Sequence, residues 1–150
     1  MLPKILILNG PNLNLLGVRQ PAVYGPGSLA DVEAACERRA AELGLVVDFR
    51  QSNSEGQLID WLQQARGVCA AVIINAGAYT HTSIAILDAL LALDMPIFEV
   101  HISNIFRREA FRNHSFVSQA ASGVLCGFGT FGYELALIAA AHALRPASPD

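Results

Sequence analysis

The sequence has few of the residues on which several common chemistries depend. It contains one lysine, Lys4, at the start of the first predicted strand. A Schiff base or a phosphate-binding P-loop needs a lysine at the site, and no lysine stands near the far end of that strand. The four histidines and three cysteines are scattered and form no CxxC, HxH or HxxxH pair. We therefore expect reduced cysteines and no metal centre.

Positive charge is also scarce. Ten basic residues stand against 13 acidic ones, which gives a net charge of −3 and an isoelectric point near 5.7. Because phosphate backbones bind to basic surfaces, no nucleic-acid partner is expected. No apolar run is long enough to span a membrane, and the N-terminus lacks the pattern of a signal peptide. The expected location is the cytoplasm, without a membrane partner.

Apolar residues, in contrast, are abundant. They make up 53% of the chain, and charged residues make up only 15%. A length of 150 residues fits one domain, residues 1–150, with a substantial core. With a mean hydropathy of +0.38, the chain has more apolar surface than a monomer of this size needs to bury. This excess predicts a homo-oligomer.

Short apolar segments alternate with amphipathic segments along the chain. The apolar segments are predicted strands at 4–9, 45–50, 70–75, 97–102 and 124–128. Such strands, separated by helices, specify a parallel sheet that is covered on both faces. The predicted fold is α/β, a flavodoxin-like doubly wound sheet of five parallel strands in the order 2-1-3-4-5.

The predicted helices have recognisable ends. Ser28 and Asp31 form the pattern of a capping box, and Gly44 ends the helix that follows. The remaining helices are expected to run through Leu58 to Gly67, from Thr80 or Thr82 to about Leu93, and from about Tyr133 to Leu144. Residues 145–150 are predicted to be a frayed tail.

Three loops should converge at one edge of this sheet. Between strands 1 and 3 the chain reverses direction, and ligands of such sheets bind beyond the carboxyl ends at that point. The loop at 10–27 is rich in Gly and Pro, and its part at about 17–26 is predicted to be a lid. The polar residues of these loops are Asn12, Asn14, Arg19, Tyr24, Asn75, Tyr79, Thr80, His81, His101, Ser103, Asn104, Arg107, Arg108 and Arg112.

A carboxylate and an imidazole interrupt the fourth apolar strand. Glu99 and His101 are two residues apart, so their side chains project from the same face. Burying both is costly unless they serve each other or a ligand. We interpret Glu99 as the group that fixes the tautomer of His101, and His101 as a proton donor or acceptor. The alternative is a satisfied pair in the core.

Tyr24 is a candidate base. Arg19 precedes it by five residues, and arginines of the loop after strand 4 could also stabilise its phenolate. The alternative is an exposed tyrosine that only packs, with Arg19 as a solvated charge. Arg108 and Arg112 form either one basic edge or a surface cluster paired with Glu109.

The segment from Asn75 to His81 is a candidate anion site. It could place an amide, free backbone N–H groups and an imidazole around a carboxylate, or it could form only a turn and a helix cap. Asp88 follows His81 by seven residues, about two helical turns, and so would lie on the same helix face. Alternatively, Asp88 is a solvated charge.

Several blocks of residues, taken together, resemble the type II 3-dehydroquinate dehydratase family. They are Asn9 to Gly17 with Arg19 and Tyr24-Gly25, Gln51-Ser52-Asn53, Asn75 to Ser83 with Asp88-Ala89-Leu90, Glu99 to Asn104 with Arg112 and His114-Ser115, and Gly127-Phe128-Gly129 with Gly132 to Leu137. These blocks cover nearly the whole chain in the order and at the spacing of the family.

The resemblance implies a reaction in the shikimate pathway. Water would be eliminated from 3-dehydroquinate to give 3-dehydroshikimate, with anti stereochemistry, through an enolate and without metal, cofactor or Schiff base. Tyr24 would remove the proton next to the ketone, Arg19 would keep Tyr24 ionised, and Asn12 would hold a water against the enolate oxygen. His101, oriented by Glu99, would protonate the departing hydroxyl.

The resemblance also implies how the substrate is held. The binding groups would be Asn75, His81 and the backbone of Ile102 and Ser103 for the carboxylate end, and Arg112 for ring hydroxyls. Asp88 would act across a subunit boundary in a homododecamer built from four trimers. The positions that depart from the family pattern are Gln20, Ala76, Leu87, Phe106 and Asn113. Of these, Leu87 and Phe106 bear on subunit contacts and the rim of the site, and Gln20 bears on lid closure.

Other functions remain open on the sequence. A flavodoxin-like module could bind a flavin or a nucleotide without this activity. A response-regulator-like domain would need acidic clusters after strands 1 and 3 and a lysine after the last strand, whereas Asn9 and Asn75 stand there without a lysine. A family member could also keep the fold and lack the activity.

Overall fold

A parallel sheet forms the centre of the molecule, in a computed structural model that describes residues 1–24 and 27–146. Within these ranges the sheet has five strands in the order 2-1-3-4-5. The strands are β1 (Lys4–Asn9), β2 (Val46–Gln51), β3 (Ala71–Asn75), β4 (Ile97–His101) and β5 (Gly123–Cys126). The predicted sheet and its strand order are therefore confirmed.

Helices cover both faces of the sheet. Those described are α1 (Pro21–Tyr24), α2 (Leu29–Leu43), α3 (Glu55–Ala65), α4 (Ile84–Leu91) and α5 (Phe131–Ala143). Alternate residues of β1 point to opposite faces: Ile5 and Ile7 pack with α2 and α5, whereas Leu6 and Leu8 pack with α3 and α4. In the described part of the chain, no helix is both long and apolar enough to cross a membrane.

The strand register brings polar residues to one level at the carboxyl edge. Asn9, the last residue of β1, pairs with Gln51 of β2 on one side and with Asn75 of β3 on the other. Asn9 is fully buried and Asn75 almost so. Buried amides need hydrogen-bond partners, so this edge of the sheet is built as a polar network.

The start of α2 follows the predicted capping box. The Ser28 hydroxyl accepts a hydrogen bond from the Asp31 backbone N–H at 3.2 Å, and the Asp31 carboxylate accepts one from the Ser28 N–H at 3.0 Å. Gly44 ends the helix with a φ of 73°, in the left-handed region. Both helix ends are local features, which is why the sequence pattern predicted them correctly.

The predicted start of α4 at Thr80 or Thr82 is wrong. Residues Gly77–His81 form a 3-10 turn, and Ser83 caps α4 by accepting a hydrogen bond from the Ile86 N–H at 2.9 Å. Thr80 is fully buried, and its hydroxyl contacts Glu99 and Ser115 instead of a helix terminus. The break before α4 also removes the argument that places Asp88 two helical turns after His81.

The predicted loop at 10–27 contains two short helical segments, a 3-10 turn at Leu13–Leu15 and α1 at Pro21–Tyr24. Gly25 and Pro26 of the predicted lid and family motif, and residues 147–150 of the predicted tail, lie outside the described residues. The other boundaries differ slightly: β5 covers Gly123–Cys126 instead of 124–128, and α5 covers Phe131–Ala143 instead of 133–144. Strand and helix ends are set partly by neighbours in space, so sequence patterns locate them only approximately.

The turns that follow β1 and β3 cross in direct contact. A Cβ on Gly10 would lie 2.2 Å from the carbonyl oxygen of Ala76. Gly77, with a φ of +60°, approaches Pro11 from the other side, and a Cβ there would lie 3.0 Å from the Pro11 carbonyl oxygen. Only glycine permits this approach, which holds the two site-forming loops together.

Candidate active site

A cavity opens at the carboxyl ends of β1, β3 and β4, where the strand order predicted it. It encloses about 520 Å³, including the part that opens to solvent at its mouth. The lining residues are Pro11, Asn12, Leu13, Arg19, Tyr24, Asn75, Gly77, Ala78, His81, His101, Ile102, Ser103, Ile105, Arg108 and Arg112. Of the predicted site residues, all except Glu99 and Asp88 line this cavity.

Glu99 lies behind His101 and contacts it directly. Its Oε2 accepts a hydrogen bond from Nε2 of His101, and both side chains are buried. Burial by itself raises the pKa of the Glu99 carboxyl, but the hydrogen bond and the charge interaction with His101, helped by Ser118 and Ser115, lower it below its ordinary value. An ionised Glu99 therefore keeps a proton on Nε2 of His101.

Hydroxyl groups complete the surroundings of Glu99. Ser115 donates to Oε2 at 2.7 Å, Thr80 lies 3.3 Å from the same oxygen, and Ser118 donates to Oε1 at 2.5 Å. A carboxylate with several donors is stabilised in its ionised form. Of these three, Thr80 and Ser115 lie in the motifs of the sequence analysis, whereas Ser118 lies in none, and no local pattern links it to Glu99.

Tyr24 lies between two arginines. Its phenol oxygen accepts a hydrogen bond from Nη1 of Arg108 at 2.9 Å. The guanidinium carbons of Arg19 and Arg108 are 5.3 and 5.4 Å from the centre of the tyrosine ring. Two positive charges at these distances stabilise negative charge on the phenol. The sequence analysis expected arginines of this loop to stabilise the Tyr24 phenolate but did not single out Arg108 among them.

Asn75 is held by a buried chain of hydrogen bonds. Its side-chain Nδ2 donates to the hydroxyl of Tyr133 at 2.9 Å, and that hydroxyl donates to Oδ1 of Asn9 at 2.6 Å. The Gly77 N–H donates to Oδ1 of Asn75 at 3.2 Å. Burial raises the pKa of Tyr133, so its hydroxyl keeps the proton that it donates. The chain fixes the orientation of the Asn75 amide, and Tyr133 was not predicted as a site residue.

The tautomer of His81 follows from its hydrogen bond. Nδ1 lies 2.8 Å from the backbone carbonyl oxygen of His114. A carbonyl only accepts, so Nδ1 carries a proton, and in the neutral ring Nε2 is an acceptor. Burial, followed by the charges of His101 and Arg112, lowers the pKa of His81 below its usual value despite the opposing hydrogen bond to His114. His81 therefore presents a neutral ring near pH 7.

Asn12 has a left-handed backbone conformation, with a φ of 70°. Asparagine tolerates this conformation better than most residues. Its backbone N–H donates to Oδ1 of Asn53 at 3.0 Å, which joins the loop after β1 to the loop after β2. Gln20, in the predicted lid, is also left-handed with a φ of 46°.

Arg112 and Asp88 occupy different surroundings. Arg112 lines the cavity and also donates to Oε2 of Glu109 at 2.7 Å. The two alternatives for Arg112, a place in the site and a pair with Glu109, are therefore both realised. Asp88 is exposed on α4, outside the cavity. Among the described residues, no group of three or more His, Cys, Asp or Glu side chains is placed to hold a metal ion.

The site thus combines a tyrosine flanked by arginines with a histidine backed by a buried carboxylate. One group suits proton removal and the other suits proton donation to the same bound molecule. Fold and site together define a doubly wound α/β protein with a candidate acid–base site at the switch point of its sheet.

Comparisons with known proteins define the family. A sequence model of the family described as dehydroquinase class II matches residues 3–141. A 3-dehydroquinate dehydratase of Methylobacterium radiotolerans is 61% identical over 145 residues, which cover 97% of each chain. 3-Dehydroquinate dehydratase 2 of Pseudomonas putida is 57% identical over 91% of this chain and 92% of its own. The chain belongs to the class II dehydroquinase family.

Solved structures agree with this assignment. A type II dehydroquinase from Propionibacterium acnes superposes with a TM-score of 0.92 and 47% identity, covering 95% of this chain and 98% of that one. Another, from Butyrivibrio crossotus, has a TM-score of 0.90 and 38% identity, covering 92% and 97%. The predicted family and the predicted hydro-lyase class are confirmed, and a flavin- or nucleotide-binding module is not favoured.

Proposed function

We propose that the protein dehydrates 3-dehydroquinate to 3-dehydroshikimate by anti elimination through an enolate, as one catalytic domain with a lid at about 17–26. The observation that carries this proposal is that the hydrogen-bonded pair of Arg108 and Tyr24 lines the same cavity as His101, which contacts Glu99 behind it. The cavity joins a candidate base and a candidate acid, and an elimination of water needs both.

In the first step, the ionised oxygen of Tyr24 takes the proton from the carbon next to the ketone. The electron pair of that C–H bond moves toward the ketone oxygen and forms the enolate. Arg19 and Arg108 stabilise the negative charge on Tyr24, because both guanidinium groups lie against its ring. Asn12, at the cavity wall, holds a water against the enolate oxygen.

In the second step, the enolate re-forms the ketone and its electrons form the carbon–carbon double bond. The bond to the hydroxyl breaks, and His101 donates a proton so that water leaves. Glu99 stabilises the protonated ring before this transfer through its contact with Nε2. The proton gained by Tyr24 then returns through solvent to His101, so that the enzyme is restored.

Substrate binding uses the remaining wall of the cavity. Asn75 and the backbone of Ile102 and Ser103 hold the carboxylate, and Arg112 contacts a ring hydroxyl. The resemblance places His81 at the carboxylate end as well. A neutral His81 whose Nδ1 proton is bound to His114 presents an acceptor, which suits a substrate hydroxyl better than a carboxylate. We therefore assign His81 to a hydroxyl near that end.

A cytoplasmic homododecamer, a tetramer of trimers, is proposed as the working form. An exposed apolar surface on α4 supports an assembly, since Ile84 and Leu91 are 56% and 59% exposed. Asp88 lies between them on the same helix, where it would meet a neighbouring subunit rather than its own cavity.

The proposed reaction is tested by the ultraviolet absorbance of the conjugated product. Purified protein is mixed with 3-dehydroquinate in the presence of a chelator, with Tyr24→Phe as the control. We expect the absorbance to rise for the wild type and to stay flat for the variant, which cannot accept the proton. A flat trace from folded wild-type protein would contradict the proposed function, and turnover by Tyr24→Phe would contradict the assigned base.

A further inference from the structure

The two oxygens of the Glu99 carboxylate have different partners. His101 and Ser115 donate to Oε2, and Thr80 lies near the same oxygen. The donor described for Oε1 is the hydroxyl of Ser118, at 2.5 Å. Glu99 itself is fully buried, so water does not replace a lost donor without rearrangement. Ser118 therefore supplies the hydrogen bond that stabilises the Oε1 side of this carboxylate.

The segment that carries Ser118 is firmly attached to the site. Ser118 belongs to a 3-10 turn at Val117–Gln119, and the side chain of Val117 is fully buried in the core against α3 and α4. The Phe116 N–H donates to the Thr80 carbonyl at 2.8 Å, and the Ser118 N–H donates to the Ser115 hydroxyl at 3.3 Å. These contacts set the position of the Ser118 hydroxyl before substrate binds.

We propose that Ser118 is a positioning residue, whose hydroxyl holds Glu99 ionised and correctly rotated so that His101 keeps its proton on Nε2 and its Nδ1 available at the cavity. Ser118 acts through Glu99, and its role in turnover rests on the proposed function. Ser115 assists on the other oxygen, and its own hydroxyl accepts from Thr80 or from the Ser118 N–H.

The physical reason is the acceptor-only character of an ionised carboxylate. The hydroxyls of Ser115 and Ser118 and the imidazole N–H of His101 can all donate to Glu99 only while it is ionised. Removing the Ser118 hydroxyl leaves Oε1 buried without its donor, and protonation at that oxygen becomes easier. A protonated Glu99 no longer stabilises a cationic His101, so acid function is lost at a higher pH.

Several other titratable or charged groups face this pair and contribute to any pH profile. They are His81 from the turn at 77–81, Cys126 from β5, and Arg112, Arg108, Arg19 and Tyr24 around the cavity. A change in one variant is therefore interpreted as a shift relative to the wild type, since coupled groups titrate together.

The kinetic test compares kcat/KM against pH for the wild type and Ser118→Ala. We expect the acid limb, where kcat/KM falls with decreasing pH, to move to higher pH by about one unit in Ser118→Ala. The reason is that a hydrogen bond to a charged group is strong, so its loss makes the Glu99 carboxylate easier to protonate. Ser118→Thr keeps the hydroxyl and should restore the wild-type profile. Ser122→Ala is the matched control: Ser118 and Ser122 are both exposed residues, but the Ser122 hydroxyl accepts from the Ile97 N–H at the opposite end of β4. An acid limb that stays unmoved in folded Ser118→Ala, together with an unchanged onset in the infrared measurement below, would overturn the proposal.

A measurement without substrate separates this inference from the proposed function. The infrared C=O band of a protonated carboxyl is followed against pH, and Glu99→Gln identifies the contribution of Glu99. We expect this band to emerge at a higher pH in Ser118→Ala than in the wild type and Ser118→Thr. An equal onset overturns the inference even if the enzyme is active, and a higher onset supports it even if 3-dehydroquinate is not turned over.

A second variant, Ser118→Cys, tests the proposal if Ser118→Ala does not fold. Ser118→Cys has a similar shape, and its thiol is a weaker donor than a hydroxyl. It should shift the infrared onset and the acid limb in the same direction by a smaller amount. An onset and a limb identical to those of the wild type would count against the proposal.

Discussion

The phenol oxygen of Tyr24 accepts a hydrogen bond from Nη1 of Arg108 at 2.9 Å, although the two residues are 84 positions apart in the chain. Tyr24 belongs to the segment between β1 and α2, whereas Arg108 follows β4. The candidate base is therefore assembled from two loops. Arg19, which is nearer in sequence, contacts the face of the ring rather than the oxygen.

Removing the Arg108 guanidinium should impair turnover more than substrate binding. We expect Arg108→Ala to lower kcat by about 100-fold with a small change in KM, because a preorganised donor at a developing charge is lost. Arg107→Ala is the matched control, since Arg107 is exposed and does not line the cavity. Steady-state rates on 3-dehydroquinate test this, and near-normal kcat in folded Arg108→Ala would refute the role.

The contact between the turns after β1 and β3 should tolerate no side chain at Gly10. A Cβ there would lie 2.2 Å from the Ala76 carbonyl oxygen, so the backbone has to move. We expect Gly10→Ala to lower the free energy of unfolding by about 3 kcal/mol. Gly56→Ala, on α3 with nothing nearer than 3.9 Å, is the control and should be neutral or slightly stabilising. Urea denaturation measures both, and equal stabilities would contradict the prediction.

The partly buried imidazole of His81 should make stability depend on pH. Its folded-state pKa is lowered from the ordinary value of 6.5, chiefly by burial. The unfolded chain therefore binds a proton more readily, so this contribution to stability is complete above the unfolded pKa. It is lost as the pH falls through the folded pKa.

We expect His81→Gln to reduce the difference in unfolding free energy between about pH 7.5 and about pH 5.5. His142→Gln, at an exposed position of α5, is the control and should leave that difference unchanged. Denaturant titrations at a fixed protein concentration provide the measurement, because oligomers gain stability with concentration. An unchanged pH dependence in His81→Gln would argue that another group is responsible.

Asp88 should act in a neighbouring subunit. Asp88→Asn and His101→Asn chains are each expected to be inactive, but mixed oligomers should regain activity. In these oligomers some cavities combine the intact His101 of an Asp88→Asn chain with the intact Asp88 of a neighbouring His101→Asn chain. Asp60→Asn, another exposed aspartate but on α3, should be active alone. Turnover is measured after subunit exchange, and no recovery in oligomers shown to be mixed would contradict the prediction.

Local sequence patterns predicted the elements whose ends depend on neighbouring residues. β1 and the capped helix α2 lie within one residue of their predicted bounds, because turn and cap chemistry acts over a few residues. The start of α4 was misplaced because the hydroxyl of Thr80 contacts Glu99 instead of capping a helix. A residue that looks like a helix cap is thus used in a tertiary contact, and spacing alone does not reveal this.

The sequence by itself determined the parallel sheet, its strand order, the edge at which the site forms, and the family. Those features follow from the alternation of apolar strands and amphipathic helices and from motifs that extend over nearly the whole chain. The tertiary structure alone decided that Arg108 contacts Tyr24 and that Ser118 contacts Glu99. These partners come from different loops, and the paths of loops depend on packing across the cavity, which no periodicity in the sequence encodes.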